Sequence, residues 1–279
     1  MMILLRIQYP LKAGLGTGST STDSCRIGSS SYGQLIYNSL DDSNLTFQNL
    51  ACSGDKFNGL YNKIELWENP NNASFGTLSI GGNDLGFTDI IKHCLLRWYR
   101  SPVLYWDRWW CSHYKAAATA LIADTSEDGF QYQLKEIYKN ISTKAGDTEF
   151  DLYVTGYPQF FNGDNEDCNY TTFMWGWEHY YSGSFADWLK SDPREVWLTT
   201  DVRQEFNDIV QSANQAIEAA VKTANTEIGT SVIHYVDVDT SFEGHRWCEE
   251  GVHEPDPDNV NTYFFLSGWK DVTESGTIT

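Results

Sequence analysis

The sequence has no apolar run long enough to cross a membrane, and it has few basic residues. Its longest apolar stretches fall far short of the roughly 20 residues that a membrane-spanning helix needs. The 279 residues include 19 Lys and Arg against 38 Asp and Glu, which gives a net charge of −19. The phosphates of nucleic acids and of anionic lipids would repel so acidic a chain. The composition therefore argues against a membrane span and against nucleic-acid binding.

No pair of cysteines has the CxxC spacing, which argues against a zinc ribbon or a thioredoxin-like site. Six cysteines are nevertheless present, at positions 25, 52, 94, 111, 168 and 248. An even number at wide spacing indicates disulfides, for which 15 pairings are possible. The alternative is six buried free thiols in a cytosolic protein.

The start of the sequence does not have the pattern expected of a signal peptide, because Arg6 interrupts its apolar residues after five positions. Four Asn-x-Ser/Thr sequons nevertheless predict N-glycosylation, at Asn44, Asn72, Asn140 and Asn169. Together with the cysteines, they favour an extracellular, secreted glycoprotein in an oxidising compartment.

Apolar patterns predict strands that alternate with helices. The predicted strands are 2–7, 46–51, 75–80, 150–155 and 231–238, and the predicted helices are 32–40, 57–67, 85–96, a broken stretch at 107–145, and 199–226. This alternation is typical of a three-layer α/β/α sandwich with a parallel sheet. In such sheets the ligand lies at the carboxyl ends of the strands, so the loops that follow the strands are the places to look for a site.

The segment 79–84, Ser-Ile-Gly-Gly-Asn-Asp, follows the third predicted strand. Its glycines allow a sharp turn, and the amide of Asn83 can then donate a hydrogen bond to a developing oxyanion. The alternative is a plain turn in which Asn83 caps the following helix.

Three segments resemble the SGNH (GDSL-type) esterases and lipases. Gly81-Gly82-Asn83-Asp84 resembles the family's Gly-x-Asn-Asp block, and the segment 44–54 resembles the block that carries its oxyanion glycine. The segment 235–248 is similar to the Gly-His-x-x-Cys loop of a secreted branch with three disulfides. The matches extend from about Lys12 to Trp269, and they imply the SGNH-hydrolase fold with a flavodoxin-like strand order.

The resemblance implies a mechanism in which a serine attacks an ester carbonyl, a histidine takes its proton, and Gly54 and Asn83 stabilise the oxyanion. It implies a carboxylic-ester substrate, such as an acylated glycan or lipid, a place in lipid metabolism, no cofactor or metal, and a monomer. The branch implies three disulfides: Cys25–Cys52, Cys94–Cys111 and Cys168–Cys248.

The catalytic positions of the family are not matched. The Gly-Asp-Ser positions fall on Gln8, Tyr9 and Pro10, and proline has no hydroxyl to serve as a nucleophile. Asp23-Ser24 stands in the wrong context, and no Gly-x-Ser-x-Gly elbow occurs. The C-terminal Asp-x-x-His block is missing as well, which leaves His245 and His253 as the nearby candidates for a base.

We therefore expect a single SGNH-like domain over residues 1–279, incomplete at both ends, with atypical segments at 1–10 and 270–279. Esterase activity should be impaired in this polypeptide. One alternative is a non-catalytic protein that binds an ester or a glycan. Another is that both ends are mis-joined sequence around a genuine core.

Two groups of residues have more than one interpretation. Six tryptophans could line an apolar pocket or pack in the core: Trp106, Trp109, Trp110, Trp175, Trp177 and Trp188. Five acidic residues near the C-terminus are expected to form a solvated loop: Glu249, Glu250, Glu254, Asp256 and Asp258.

Overall fold

A computed structural model describes residues 2–5, 25, 31–40, 45–96, 104–146, 149–173, 196–252, 254 and 259–264. Its strands are β1 (Met2–Leu5), β2 (Phe47–Asn49), β3 (Phe75–Leu78), β4 (Asp151–Thr155) and β5 (Ile233–Val236). Its α-helices are α1 (Tyr32–Ser39), α2 (Phe57–Glu65), α3 (Phe87–Ile90), α4 (Leu104–Ala123), α5 (Phe130–Ala145) and α6 (Thr200–Ile228).

The five strands form one parallel sheet in the order β2-β1-β3-β4-β5. Met2 at the start of β1 pairs with Phe47 on one side and with Phe75 on the other. This order is the flavodoxin-like arrangement, and the predicted α/β fold with a parallel sheet is confirmed.

The helices cover the sheet in two layers. Right-handed crossovers place α1 on one face and α2, α5 and α6 on the other, because only the connection from β1 to β2 runs in the opposite direction along the sheet. On the first face, Thr77 Oγ1 of β3 lies 3.4 Å from Tyr32 Oη of α1. On the second face, the Phe57 and Phe130 rings of α2 and α5 lie 5.7 Å apart.

Helical periodicity explains how α5 joins the core. Its buried residues recur at three- and four-residue steps and form one face. They are Phe130, Leu134, Ile137, Tyr138, Ile141 and Ala145. On the exposed side of the helix, Lys135 and Lys139 form ion pairs with Glu227 of α6 at 3.0 and 2.6 Å.

The chain divides into two compact units. The first comprises the described residues within 1–85, 120–156 and 213–238, and it contains the whole sheet. The second comprises those within 86–119, 157–212 and 239–279. Its core is aromatic, with Phe161, Phe173 and Trp247 buried against one another.

The helix predicted over 85–96 differs from the structure. Only Phe87–Ile90 is α-helical, and Ile91–Leu96 continues as a π-helix. A disulfide joins Cys94 in this π-helix to Cys111 in α4, a constraint that apolar spacing does not reveal.

The prediction that Glu254 lies in a solvated loop was wrong. Its side chain is 2% exposed, and its Oε1 accepts a hydrogen bond from the Cys248 backbone N–H at 3.4 Å. Glu249 is also engaged, since its carboxylate accepts from Asn162 Nδ2 and from the Arg246 N–H. These carboxylates satisfy buried donors beside the Cys168–Cys248 disulfide, whereas Asp256 and Asp258 lie outside the described residues.

Candidate active site

Gly54 lies in a tight turn shortly after β2 ends. The Asp55 N–H donates to the Cys52 carbonyl at 3.3 Å, and Gly54 has a φ of +87°, which favours glycine. The Cys25–Cys52 disulfide and a 3.1 Å bond from the Ser53 N–H to the Cys25 carbonyl hold this turn in place.

A second turn follows β3 and carries Asn83. It begins at Gly81, which has a φ of +111° and lies against the Phe130 ring. A Cβ at this position would come within 2.7 Å of that ring, so glycine is needed here for both conformation and space. The Leu85 N–H closes the turn on the Gly81 carbonyl at 2.9 Å.

The two turns meet at the carboxyl edge of the sheet. The Asn83 Nδ2 donates to the carbonyl of Asp55, the residue next to Gly54, at 3.0 Å. The alternative that the Asn83 side chain caps the following helix is not what the structure has, because the N-cap of α3 is Gly86 and no side chain caps it. Nδ2 carries a second hydrogen, which can donate to a ligand that also meets the backbone near Gly54.

Asp84 stands beside Asn83 and received no role from the sequence. Its Oδ1 accepts the Phe57 N–H at 3.1 Å, at the start of α2, while its Oδ2 is buried and has no hydrogen bond among the described residues. Burial raises the pKa of the Asp84 carboxyl from 3.8 to about 6, against the lowering effects of the Phe57 N–H and the Lys56 charge. The sequence signal that could have identified Asp84 is its position directly after Asn83, in the turn that follows a buried strand.

His245 belongs to the second unit. Its imidazole stacks on Tyr263 with ring centroids 3.9 Å apart, and its Nδ1 lies 2.7 Å from the Asn261 carbonyl. Since a carbonyl accepts but does not donate, Nδ1 carries the hydrogen of this bond and, in the neutral ring, Nε2 is the acceptor. The neutral ring thus has the tautomer that a general base requires, and its catalytic role stays a prediction.

The remaining candidate residues differ in exposure, and some of them lie outside the described part of the chain. Asn72 and Asn140 are exposed, whereas Asn169 Oδ1 accepts from the Thr200 N–H at 2.7 Å and from Arg203 at 3.2 Å. Several predictions fall outside the described residues, namely those for Gln8, Tyr9, Pro10, Ser24, Asn44 and His253. In the described part of the chain, no cluster of His, Cys, Asp or Glu has the makings of a metal site.

The cysteines pair as the resemblance implies. The structure contains Cys25–Cys52, Cys94–Cys111 and Cys168–Cys248. The described helices include none that is both long enough and apolar enough to span a membrane.

Comparison with known proteins identifies a sequence relative and several structural neighbours. The chain is 28% identical to a lipase of Streptomyces rimosus over 246 residues, which are 88% of this chain and 72% of the relative. No family model matches the sequence.

Two of the structural neighbours are Streptomyces enzymes, and at this level of identity they show the fold alone. A phospholipase A1 from Streptomyces albidoflavus superposes with a TM-score of 0.60 and 22% identity, over 88% of this chain and 83% of its own. An extracellular lipase from Streptomyces rimosus superposes with a TM-score of 0.59 and 23% identity, over 99% of each chain.

The parallel sheet, the three disulfides and these relatives agree with one another. They confirm the resemblance of this chain to the SGNH (GDSL-type) esterases and lipases.

Proposed function

We propose that this chain is a carboxylic-ester hydrolase of the SGNH type, with turnover impaired at the nucleophile position. The observation that carries the proposal is the 3.0 Å bond from Asn83 Nδ2 to the Asp55 carbonyl, which joins the turns of Gly54 and Asn83. Donors fixed in this way can stabilise an oxyanion without reorganising during the reaction.

The names of the relatives support the same chemistry. A lipase and a phospholipase A1 both cleave carboxylic esters, and both names belong to proteins that share this fold. The impairment rests on the sequence, because Pro10 stands where the family has its serine. Loss of the serine in a serine hydrolase lowers turnover by about 10⁶-fold.

A hydrolysis assay with 4-nitrophenyl butyrate tests the impairment. We expect the natural chain to turn over this ester about 10⁶-fold more slowly than an ordinary serine esterase. Turnover near that of ordinary esterases would contradict the impairment.

Restoring the nucleophile tests the oxyanion site itself. The triple variant Gln8→Gly, Tyr9→Asp, Pro10→Ser should gain ester turnover, and the matched control with Pro10→Ala in place of Pro10→Ser should not. Adding Asn83→Ala to the active variant should lower kcat by about 10²–10³-fold. If the folded serine variant gains no turnover, the hydrolase assignment fails; if its gain does not depend on Asn83, the oxyanion role fails.

His245 is the residue that we propose as the base in this restored enzyme. The hydrogen bond from its Nδ1 to Asn261 supports the assignment, because it fixes the tautomer with Nε2 as acceptor. Adding His245→Ala to the restored variant should abolish the gained turnover, and an unchanged rate would remove His245 from the mechanism.

The second candidate function is ester or glycan binding without turnover, and Pro10 at the nucleophile position is the observation that favours it. Calorimetric titration of the natural chain with a panel of esters and sugars separates the two functions. Heat of binding from a glycan, with no rescue of turnover in the serine variant, would favour this candidate.

We also propose that the chain is a secreted glycoprotein, which the three disulfides support. The exposed Asn72 and Asn140 are the sites that we expect to carry glycans. Asn169 should be occupied less, because its side chain holds the start of α6. Mass spectrometry of the protein secreted from a eukaryotic host, after enzymatic deglycosylation, reads the occupancy of each site.

A further inference from the structure

One stretch of the chain departs from its acidic average. Residues 92–115 contain five of the 19 Lys and Arg, but only one of the 38 Asp and Glu. The same 24 residues contain four of the 11 tryptophans and three of the 16 tyrosines. A positively charged, aromatic stretch in a chain of net charge −19 therefore calls for an explanation of its own.

The structure gathers part of this stretch into one aromatic patch. The patch consists of Trp109, Trp110, His113 and Tyr114 on α4 and His93 on the π-helix. The Trp109 ring stacks on His113 with ring centroids 5.2 Å apart, and it meets the Trp110 ring edge-on with centroids 4.6 Å apart. His93 stacks on Tyr114 at 5.2 Å and lies 6.3 Å from Trp110.

The two parts of the patch are cross-linked, and the patch is partly exposed to solvent. The Cys94–Cys111 disulfide joins the π-helix, next to His93, to α4, next to Trp110. Trp109 is nevertheless 55% exposed, so this tryptophan does not pack in the core. The side chain of Trp106 and the residues Trp175, Trp177 and Trp188 lie outside the described part of the chain. A large aromatic side chain left in solvent beside other aromatics is typical of an interaction surface.

Positive charge lies next to the patch. Lys92, which precedes His93, is exposed, and no ion pair to it occurs among the described residues. Lys115, which follows Tyr114, is paired with Glu205 at 2.6 Å. Asp89, on α3 about one turn before Lys92 and His93, is the acidic residue that most closely precedes them in the sequence.

We propose that the aromatic patch docks the protein onto an anionic lipid surface. Tryptophan and tyrosine rings favour the interface between headgroups and acyl chains, and basic residues beside them are attracted to anionic headgroups. The net charge of −19 disfavours general adhesion to such a surface. The same charge distribution orients the protein at the surface. The acidic remainder of the chain is repelled, and residues 92–115 are the stretch that an anionic surface attracts. This role goes beyond the proposed ester hydrolysis and does not depend on turnover.

Co-sedimentation with vesicles tests the proposal. The natural chain should bind vesicles of phosphatidylcholine with 30% phosphatidylglycerol, and it should bind pure phosphatidylcholine more weakly. Trp109→Ala should lower the partition coefficient about 10-fold. Lys92→Gln should lower it about 5-fold, which is the loss expected from one basic residue near the membrane. Raising the salt from 0.15 to 0.5 M should weaken binding further.

Leu35→Ala is the matched control, because Leu35 is an apolar residue on α1 in the other unit and is also 55% exposed. This variant should bind as the natural chain does. The proposal fails if the natural chain does not bind, if it binds both vesicles equally, or if the control variant and Trp109→Ala lose equal affinity. It also fails if Trp109→Ala instead abolishes self-association, measured by light scattering without vesicles, because the patch then fits a second copy of the chain.

Discussion

At the scale of single residues, Asp84 links the turn of Asn83 to the start of α2. Its carboxylate accepts the Phe57 N–H, one of the donors that α2 leaves without an intrahelical partner. A negative charge at a helix N-terminus is favourable, but burial of the unbonded Oδ2 opposes ionisation more strongly, as the pKa of about 6 indicates.

This raised pKa makes the stability of the fold depend on pH. The folded chain holds the Asp84 proton more tightly than the unfolded chain, whose carboxyl has the ordinary pKa of 3.8. Protonation therefore stabilises the folded state, and this contribution is full below about pH 4 and is lost as the pH rises through about 6. Two pKa units correspond to roughly 3 kcal/mol, and partial contact with solvent reduces the effect to about 1–3 kcal/mol.

Asp84→Asn should remove this pH dependence while it keeps an oxygen to accept the Phe57 N–H. Between pH 4.5 and 7.5, the natural chain should lose about 1–3 kcal/mol of unfolding free energy relative to the variant. Urea denaturation of both proteins at the two pH values measures the difference.

Asp124→Asn provides the control for this measurement. Hydrogen bonds from Ser126 lower the pKa of the Asp124 carboxylate, so its contribution to the unfolding free energy changes with pH in the opposite direction. A difference between the natural chain and Asp84→Asn that stays constant with pH would contradict the role given to the buried carboxyl.

At the scale of elements, the turn after β3 depends on how closely α5 approaches it. Gly81 combines a positive φ with contact against Phe130, whereas Gly54 has a positive φ and open space around the position of a Cβ. Gly54→Ala should therefore lower the free energy of unfolding by the backbone strain alone, about 1 kcal/mol. Gly81→Ala should lower it by about 3 kcal/mol in all, because it adds displacement of the Phe130 ring to the same strain. Chemical denaturation of the two variants isolates the contact with Phe130. Equal losses would show that the ring moves aside freely.

At the scale of the whole molecule, the regular strands and helices could be predicted from the sequence. The alternation of apolar strands and amphipathic helices fixes a parallel sheet, because few other topologies bury such elements. The segment 79–84 likewise pointed to Asn83. The π-helix, the buried Glu254 and the pKa of Asp84 were not predictable, because each depends on a contact between segments far apart in the chain. Phe57 and Asp84, for example, lie 27 residues apart.

The stability of the second unit also depends on links between distant segments, namely its two disulfides. Cys168–Cys248 spans 80 residues, whereas Cys94–Cys111 spans 17. A cross-link that closes a longer loop removes more conformational freedom from the unfolded chain. By this effect Cys168–Cys248 should add about 4.5 kcal/mol to the free energy of unfolding, and Cys94–Cys111 about 3 kcal/mol. Cys168→Ala with Cys248→Ala should therefore lower the unfolding free energy more than Cys94→Ala with Cys111→Ala does.

Guanidinium unfolding under non-reducing conditions measures both losses. The comparison is matched, because all four cysteines belong to the same unit and both disulfides contain a buried sulfur. The opposite order would mean that native packing around Cys94, which ties the aromatic patch together, outweighs loop entropy. In that case the Cys94–Cys111 double variant should also lose its affinity for anionic vesicles, since the π-helix and α4 would no longer be held against each other.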